Sequence, residues 1–341
     1  VFKKKQAIII LLLLMIAIPT AAQWHFFDRE PALVLVTSRS DLNYLTAERY
    51  HIDAVRGDSV FVYVTPEEFS RIQNRGYDIR YIPNQAKIYA DSLWEATKDT
   101  PDPMDNYHTF QELAATLDSV ALANPAICRV FSAGMSVQNR ELWVMEISDN
   151  VGTDEEEPEF LYVSSMHGDE PVGMEMCLYL IGYLTQNYPQ NERVRRLVEN
   201  ARIFIMPLMN PDGYTAHSRY NATGHDLNRT FPDRIIDPCN IPDGHPQEVQ
   251  VLMDFHDHHN FTMSANLHTG ALLVNYPYDS NPQGLSVYTA TPDDDWFIEA
   301  SLRYSRHNPP MYNSTWYPQG ITNGADWYHI NGGMQDYIYT W

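Results

Sequence analysis

The sequence predicts an α/β protein: a mixed, mainly parallel sheet sandwiched by helices, preceded by a small α+β domain. Three observations carry this. After about residue 105, short apolar and β-branched runs alternate with stretches of helical spacing, the pattern of a sheet covered on both faces. Three of those runs, ending near Ser164, Leu208 and Leu267, each lead at once into polar residues: His167, Asn210 and His268. Ahead of them, residues 32–83 read strand, helix, strand, strand, helix, strand.

Taken in order, the chain begins with Lys3, Lys4 and Lys5, an apolar run from Ala7 to Ile18, and small residues to Ala22. That is the layout of a secretory signal over residues 1–22, cleaved after Ala22, and the run is short for a membrane span. The expectation is a secreted protein, extracellular or periplasmic, with no stable membrane association once the leader is gone. The formal charge of −21 becomes more negative without those three lysines and argues against nucleic acid as a partner. The three cysteines, Cys128, Cys177 and Cys239, cannot all pair, so this is no disulfide scaffold.

The small domain opens with the strand Ala32 to Val36 and a helix from Ser38 to Glu48. Strands at Ile52 to Val55 and Val60 to Val64 flank Arg56-Gly57-Asp58-Ser59, a hairpin turn. Thr65-Pro66-Glu67-Glu68 is a capping box with proline at the first helical position, opening a helix that Gly76 ends. Tyr77 to Ile82 is the last strand, and the whole order is that of a ferredoxin-like domain over 32–83. Residues 84–104 carry scattered charge and no sustained period, and read as a linker.

The large domain spans 105–341. Helical spacing from Tyr107 to Ala123 precedes strands at Cys128 to Ser132 and Glu141 to Ser148. The strand from Glu159 then stops at His167-Gly168-Asp169-Glu170, and Pro171 opens a helix to Asn187. His167 and Glu170, three apart at a strand's carboxyl end, could grip one divalent ion; alone they could equally be a polar turn. A catalytic zinc takes three protein ligands, and the strand Phe261 to Leu267 delivers His268 at the same end. His256-Asp257-His258-His259, at a helix end, offers a weaker second cluster. The closing run Tyr337 to Trp341 reads as an interrupted strand.

Several motifs now carry a family resemblance. Tyr107-His108-Thr109-Phe110, Arg140-Glu141-Leu142-Trp143, His167-Gly168-Asp169-Glu170, Asn210-Pro211-Asp212-Gly213-Tyr214, Asp226-Leu227-Asn228-Arg229 and Gly320 to Tyr328 look like those of zinc metallocarboxypeptidases. Asn275-Tyr276-Pro277-Tyr278-Asp279 and Gly333-Met334-Gln335-Asp336 most resemble the regulatory, carboxypeptidase N/E-like branch. The resemblance runs from about residue 105 to the last residue, and implies a zinc carboxypeptidase-like fold and one bound Zn2+.

By that resemblance His167, Glu170 and His268 are the zinc ligands, and Asp226 holds a ligand imidazole in one tautomer. Asn228 and Arg229 grip the substrate's terminal carboxylate, Arg219 steadies the carbonyl oxygen in the transition state, and Tyr328 closes over bound substrate. Asp279 and Gln335 line the pocket for the C-terminal side chain, which implies peptide or protein C-termini ending in Lys or Arg. Two features depart from the branch. It generally lacks a prosegment, whereas residues 32–83 resemble the prosegments of the digestive branch. The family's general-base glutamate follows the stretch matching Gly333 to Asp336, and no Glu follows Asp336 here; the expectation is a chain truncated at Trp341. Two alternatives stand beside a metallocarboxypeptidase: a zinc amidase or peptidase acting on cell-wall or other non-protein amides, and a non-catalytic peptide-binding homologue.

Overall fold

The computed structural model describes residues 29–97 and 107–341. The leader expected over residues 1–22 and the later part of the expected linker lie outside the described residues.

The N-terminal part is built from β1 (Glu30–Leu35), α1 (Arg39–Ala47), β2 (His51–Arg56), β3 (Ser59–Val64), α2 (Pro66–Asn74) and β4 (Asp78–Tyr81). Its sheet has the order β2-β3-β1-β4 with every pairing antiparallel, which leaves β2 on an edge. Local chemistry sets the helix starts. The Ser38 side chain accepts from the Asp41 N–H, and Thr65 and Glu68 form the reciprocal capping box ahead of Pro66. Alternate strand residues such as Val34, Ile52, Val60 and Val62 meet Leu42, Leu45 and Ile72 of the helices, and Tyr328 from far along the chain completes this core. The β2–β3 register slips between Ile52 and Ala54. Asp53 is thus a bulge residue, and a bulge bends the strand and re-aims its side chain.

Residues 85–97 form α3 (Gln85–Thr97), where a linker without structure was expected. Gln, Ala, Lys, Leu and Glu are good helix formers, Asn84 accepts from the Lys87 N–H, and Lys87 pairs with Asp91 one turn on. Asp91 in turn pairs with His217 of the large domain, so a docked helix replaces a free connection.

The large domain begins with α4 (Phe110–Ala123), β5 (Cys128–Met135), β6 (Glu141–Ile147), β7 (Glu159–Ser164), α5 (Val172–Asn187), α6 (Glu192–Val198), β8 (Arg202–Met206) and α7 (Pro211–Thr215). It continues through a 3-10 turn (Leu227–Arg229), α8 (Gln247–Asp257), β9 (Phe261–Leu267), β10 (Val274–Tyr276) and α9 (Asp294–Ser305). It closes with α10 (Pro309–Tyr312), β11 (Ile321–Asn323), α11 (Gly324–Trp327) and α12 (Met334–Thr340). The main sheet has the order β5-β6-β8-β7-β9, and β6 alone runs against the others. Both faces are covered. Ile203 and Ile205 pack under α4, α5 and α6, whereas Phe204 and Met206 pack under α8 and α12. Period-two alternation with apolar residues on both sides makes β8 a fully buried strand.

The closing run is a helix, not a strand. Met334, Tyr337, Ile338 and Trp341 repeat at helical spacing and share one packed face, with Tyr337 stacking on Phe231 and Trp341. That period outweighs the β propensity of a run rich in tyrosine and isoleucine.

The two ends of the sheet differ in character. At the amino end of β7 and β8, Arg202 is buried among Glu146, Glu159 and Asp154, a paired ionic cluster. At the carboxyl end the strands open onto the polar residues described next.

Candidate metal centre and cleft

β7, β8 and β9 run parallel, so their carboxyl ends lie together, and each is followed by a sharp turn. The turn after β7 presses against the start of α7 so closely that a Cβ on Gly168 would overlap the Gly213 backbone. Asn210 locks the same contact, accepting from the Gly213 N–H and donating to the Met166 carbonyl. This close packing carries His167 and Glu170 to the position where β9 releases His268.

His167 Nδ1 lies 2.9 Å from Glu170 Oε1 and 3.2 Å from His268 Nδ1, and His268 Nδ1 lies 2.9 Å from Glu170 Oε2. Two imidazole nitrogens and a carboxylate thus face a single point, with His167 and Glu170 buried and His268 open to solvent. A tetrahedral zinc with bonds of about 2.0–2.1 Å sets its ligand atoms ~3.3 Å apart, so this donor set fits that ion and leaves a side open to the cleft. A second group, Asp149, Glu155 and Glu157, lies in exposed loops. The four residues His256 to His259 form no such group among the described residues; His259 pairs with Glu159, and His256 packs against Phe261 and Tyr337.

Charges around the centre interlock. His167 Nε2 meets Asp226 Oδ1 at 3.1 Å, and Asp226 Oδ2 accepts from Arg219 Nε at 3.0 Å. Burial and Arg219 push the His167 ring toward its neutral form, but Glu170 and Asp226 outweigh them and raise it to about 9. Burial would raise Asp226, yet Arg219 and His167 hold its carboxyl well below the usual range. Glu170 is likewise held ionised by His167 and His268 against its burial. Asn228 lies beside His268, with Nδ2 at 3.4 Å from its Nε2, and its carbonyl oxygen Oδ1 accepts from the Met334 N–H.

A second buried acid stands near Asn228: a Cβ on Gly333 would lie 3.0 Å from Asp279 Oδ2 and 3.8 Å from Asn228 Oδ1. Asp279 is buried, accepts from Asn275 Nδ2 at 3.2 Å, and takes its backbone position from Asp336, whose carboxylate accepts from the Asp279 and Ser280 N–H groups. Burial, and then Asp336, hold the Asp279 carboxyl well above the usual carboxylate range. Gly324 is packed against Asp279 with no room for a Cβ, Gln335 stands against the same carboxylate and favours its charged form, as Arg229 does from further off, and Asn275 Oδ1 is buried without a partner. Among the described residues no basic side chain forms a salt bridge with Asp279.

One set of contacts was not legible from sequence. The bulged edge strand β2 lies across the cleft. Asp53 Oδ1 accepts from Arg219 Nη1 at 2.7 Å, the Ile52 carbonyl from Arg229 Nη2 at 2.7 Å, and the Asp53 carbonyl from the Tyr328 hydroxyl at 3.1 Å. The Val55 carbonyl accepts from Trp327 Nε1 and the Tyr317 hydroxyl, each at 3.0 Å. Three residues expected to touch substrate are thus engaged by the N-terminal domain. The neighbouring Arg-Gly-Asp triplet draws attention in the sequence, whereas a bulge at Asp53 leaves no mark there.

A mixed sheet between helices thus carries, at the carboxyl end of its parallel strands, three side chains placed to hold one metal ion. The sequence pattern of the zinc carboxypeptidase family matches residues 113–341, and the chain belongs to that family. It is 44% identical to carboxypeptidase D of Homo sapiens over 253 residues, covering 69% of this chain and 18% of that protein. It is 37% identical to the carboxypeptidase N catalytic chain of Homo sapiens over 273 residues, covering 68% of this chain and 60% of that one. The chain thus spans under two thirds of the length of these relatives. Among solved structures, carboxypeptidase A from Helicoverpa armigera superposes with a TM-score of 0.73 at 20% identity, over 91% of this chain and 85% of that one. Thrombin activatable fibrinolysis inhibitor superposes with a TM-score of 0.65 at 18% identity, over 92% and 88%. Both share the fold. Among the described residues no helix is long and apolar enough to cross a membrane.

Proposed function

We propose that the protein is a secreted zinc-dependent carboxypeptidase acting on peptide C-termini that end in Lys or Arg, with an N-terminal domain that closes its cleft. The observation that carries this is the His167, Glu170 and His268 donor set, with Arg219 beside Glu170 and the buried Asp279 near Asn228 and Arg229. Family membership supports the reaction class, and the lysine-rich, apolar start of the chain supports secretion.

The residues divide the work as follows. Arg229, freed from the Ile52 carbonyl, offers a planar fork to a terminal carboxylate, and Asn228 beside His268 adds an amide. Asp279 receives the cationic side chain, which repairs the cost of its own burial. Arg219, held by Asp226, donates to the carbonyl oxygen as charge develops there; losing one such donor typically costs ~10²–10³ in rate. Tyr328 shields the bound end from water. Zinc, when bound, polarises the carbonyl and acidifies water. Residues 1–341 supply this binding apparatus.

The test compares peptides ending in Arg, Phe and Glu. Binding is read by calorimetry, and hydrolysis by release of the terminal residue. Arg-ending peptides should bind and be cleaved best. Preference for Phe or Glu ends would sink the specificity, and absence of both binding and hydrolysis would sink the function.

A further inference from the structure

We propose that His51 is an acid-sensitive latch: its ring holds the N-terminal domain against the cleft only while neutral, and protonation undocks the domain. This rests on the reading that the domain closes the cleft, and names how that closure is regulated.

His51 opens β2, two residues before Asp53 and next to Ile52. Its ring packs against Tyr220 of the large domain, with centroids 6.2 Å apart, and Tyr63, its cross-strand partner, meets the same tyrosine edge-on. His51 Nδ1 is shielded from solvent and has no hydrogen-bond partner. A protonated ring would bring a second N–H and a full charge into that contact with no acceptor to meet them.

The charges facing it are mostly of the wrong sign. Arg29, ahead of β1, stands on one side and is paired with Glu68. Arg219, in the loop after α7, and Arg229, in the 3-10 turn, stand on the other. Asp226 is the acid that favours a charged ring, but its two oxygens are already committed to His167 and Arg219. Asp53, on the same strand, spends its carboxylate on Arg219. Burial first, and then Arg29, push the docked ring down to about 3.

Once undocked, the ring is solvated and returns to its ordinary value of about 6.5. The sign follows. A base depressed in the docked state stabilises docking fully above about 6.5, and that contribution is lost as pH falls toward about 3. Docking should weaken by up to tenfold per pH unit in this window, or about 30-fold between pH 7.5 and pH 5. Other histidines do not substitute for it: His217 is paired with Asp91, and His268 and His167 face each other within the large domain.

The indole N–H of Trp327, which donates to the Val55 carbonyl across the interface, is the reporter. Its hydrogen-exchange protection factor, corrected for the intrinsic rate and read by proton–nitrogen NMR, should fall about 30-fold from pH 7.5 to pH 5. The Leu161 amide in β7 reports global unfolding, and its protection should not fall with that of Trp327. His51→Phe and His51→Gln should each flatten the Trp327 profile over this range, and either suffices if the other fails to fold. Asp53→Asn should lower protection at every pH and keep the parent slope. A flat parent profile, or a parent slope retained in His51→Gln, overturns the proposal. The readout needs neither metal nor hydrolysis. A protein that shows the slope but neither binds nor cleaves peptides loses the functional reading and keeps the latch; one that binds and cleaves without the slope does the reverse.

Discussion

Asp279 shows how a residue can be costly and useful at once. It is buried with Asp336 close by, and burial and that neighbour hold its proton on well above the usual carboxylate range. In the unfolded chain the same group ionises near pH 4. The folded state therefore loses about 1.4 kcal/mol per pH unit as pH rises from there toward the folded value. Asp279→Asn should raise the melting temperature at pH 7, with the gain vanishing near pH 4; scanning calorimetry at both pH values checks this. The same variant should lose at least tenfold of its preference for Arg-ending over Phe-ending peptides, read by calorimetric binding. A second prediction concerns the metal ligands. His167 is raised to about 9 by Glu170 and Asp226 against burial and Arg219, so protons compete with the ion for this ring. Zinc affinity of the metal-free protein should fall about tenfold per pH unit below that value, as read by competition with a chelator. His167→Ala should leave less than a tenth of the zinc content of the parent.

At the scale of elements, the turn after β7 is the joint that the site depends on. Gly168 packs against the Gly213 backbone and has no room for a side chain. Gly168→Ala must push the turn off α7, and overpacking of this kind costs roughly 1–3 kcal/mol. The expected result is a lower denaturant midpoint together with lost zinc, whereas Gly182→Ala inside α5, where the added methyl meets only the Gln186 side chain, should keep its zinc and raise the midpoint slightly by helix propensity. This joint was legible in the sequence because an apolar run, His-Gly-Asp-Glu and a proline at a helix start each have a local cause. The sheet flanked by α4, α5 and α8 was legible for the same reason. Helices α3 and α12 were not. α3 has good helix formers but little apolar periodicity, and its support comes from the contact of Asp91 with distant His217. α12 has an aromatic run that fits a strand until Met334 and Trp341 are included in the count. Local pattern names an element only where local interactions decide it.

At the scale of the whole molecule, the N-terminal domain and the cleft compete for the same side chains. Under the proposed function Arg219, Arg229 and Tyr328 would have to release β2 to take a peptide end, and peptide affinity would then scale with the undocked fraction. Tyr328 makes this coupling more than a matter of hydrogen bonds, because its ring belongs to the core of the small domain. Opening the cleft therefore removes apolar contact from that core as well as four hydrogen bonds to β2 carbonyls and the ion pairs Asp53–Arg219 and Arg39–Asp326. The Asp53–Arg219 pair is the part that can be cut without touching the core. Arg219 is buried and Asp53 half-exposed, so the pair lies between a surface bridge and a buried one, and losing it should weaken docking by about tenfold. Asp53→Ala should then strengthen binding of an Arg-ending peptide at pH 7.5 by up to about tenfold, because Arg219 keeps Asp226 as its partner and stays in place. Arg229→Ala also loosens β2, by losing the Ile52 carbonyl, but it removes the guanidinium proposed to grip the terminal carboxylate, and its binding should not improve. Isothermal calorimetry on the three proteins separates the two outcomes. If Asp53→Ala binds no better than the parent, β2 does not compete with peptide, and the small domain only accompanies the cleft.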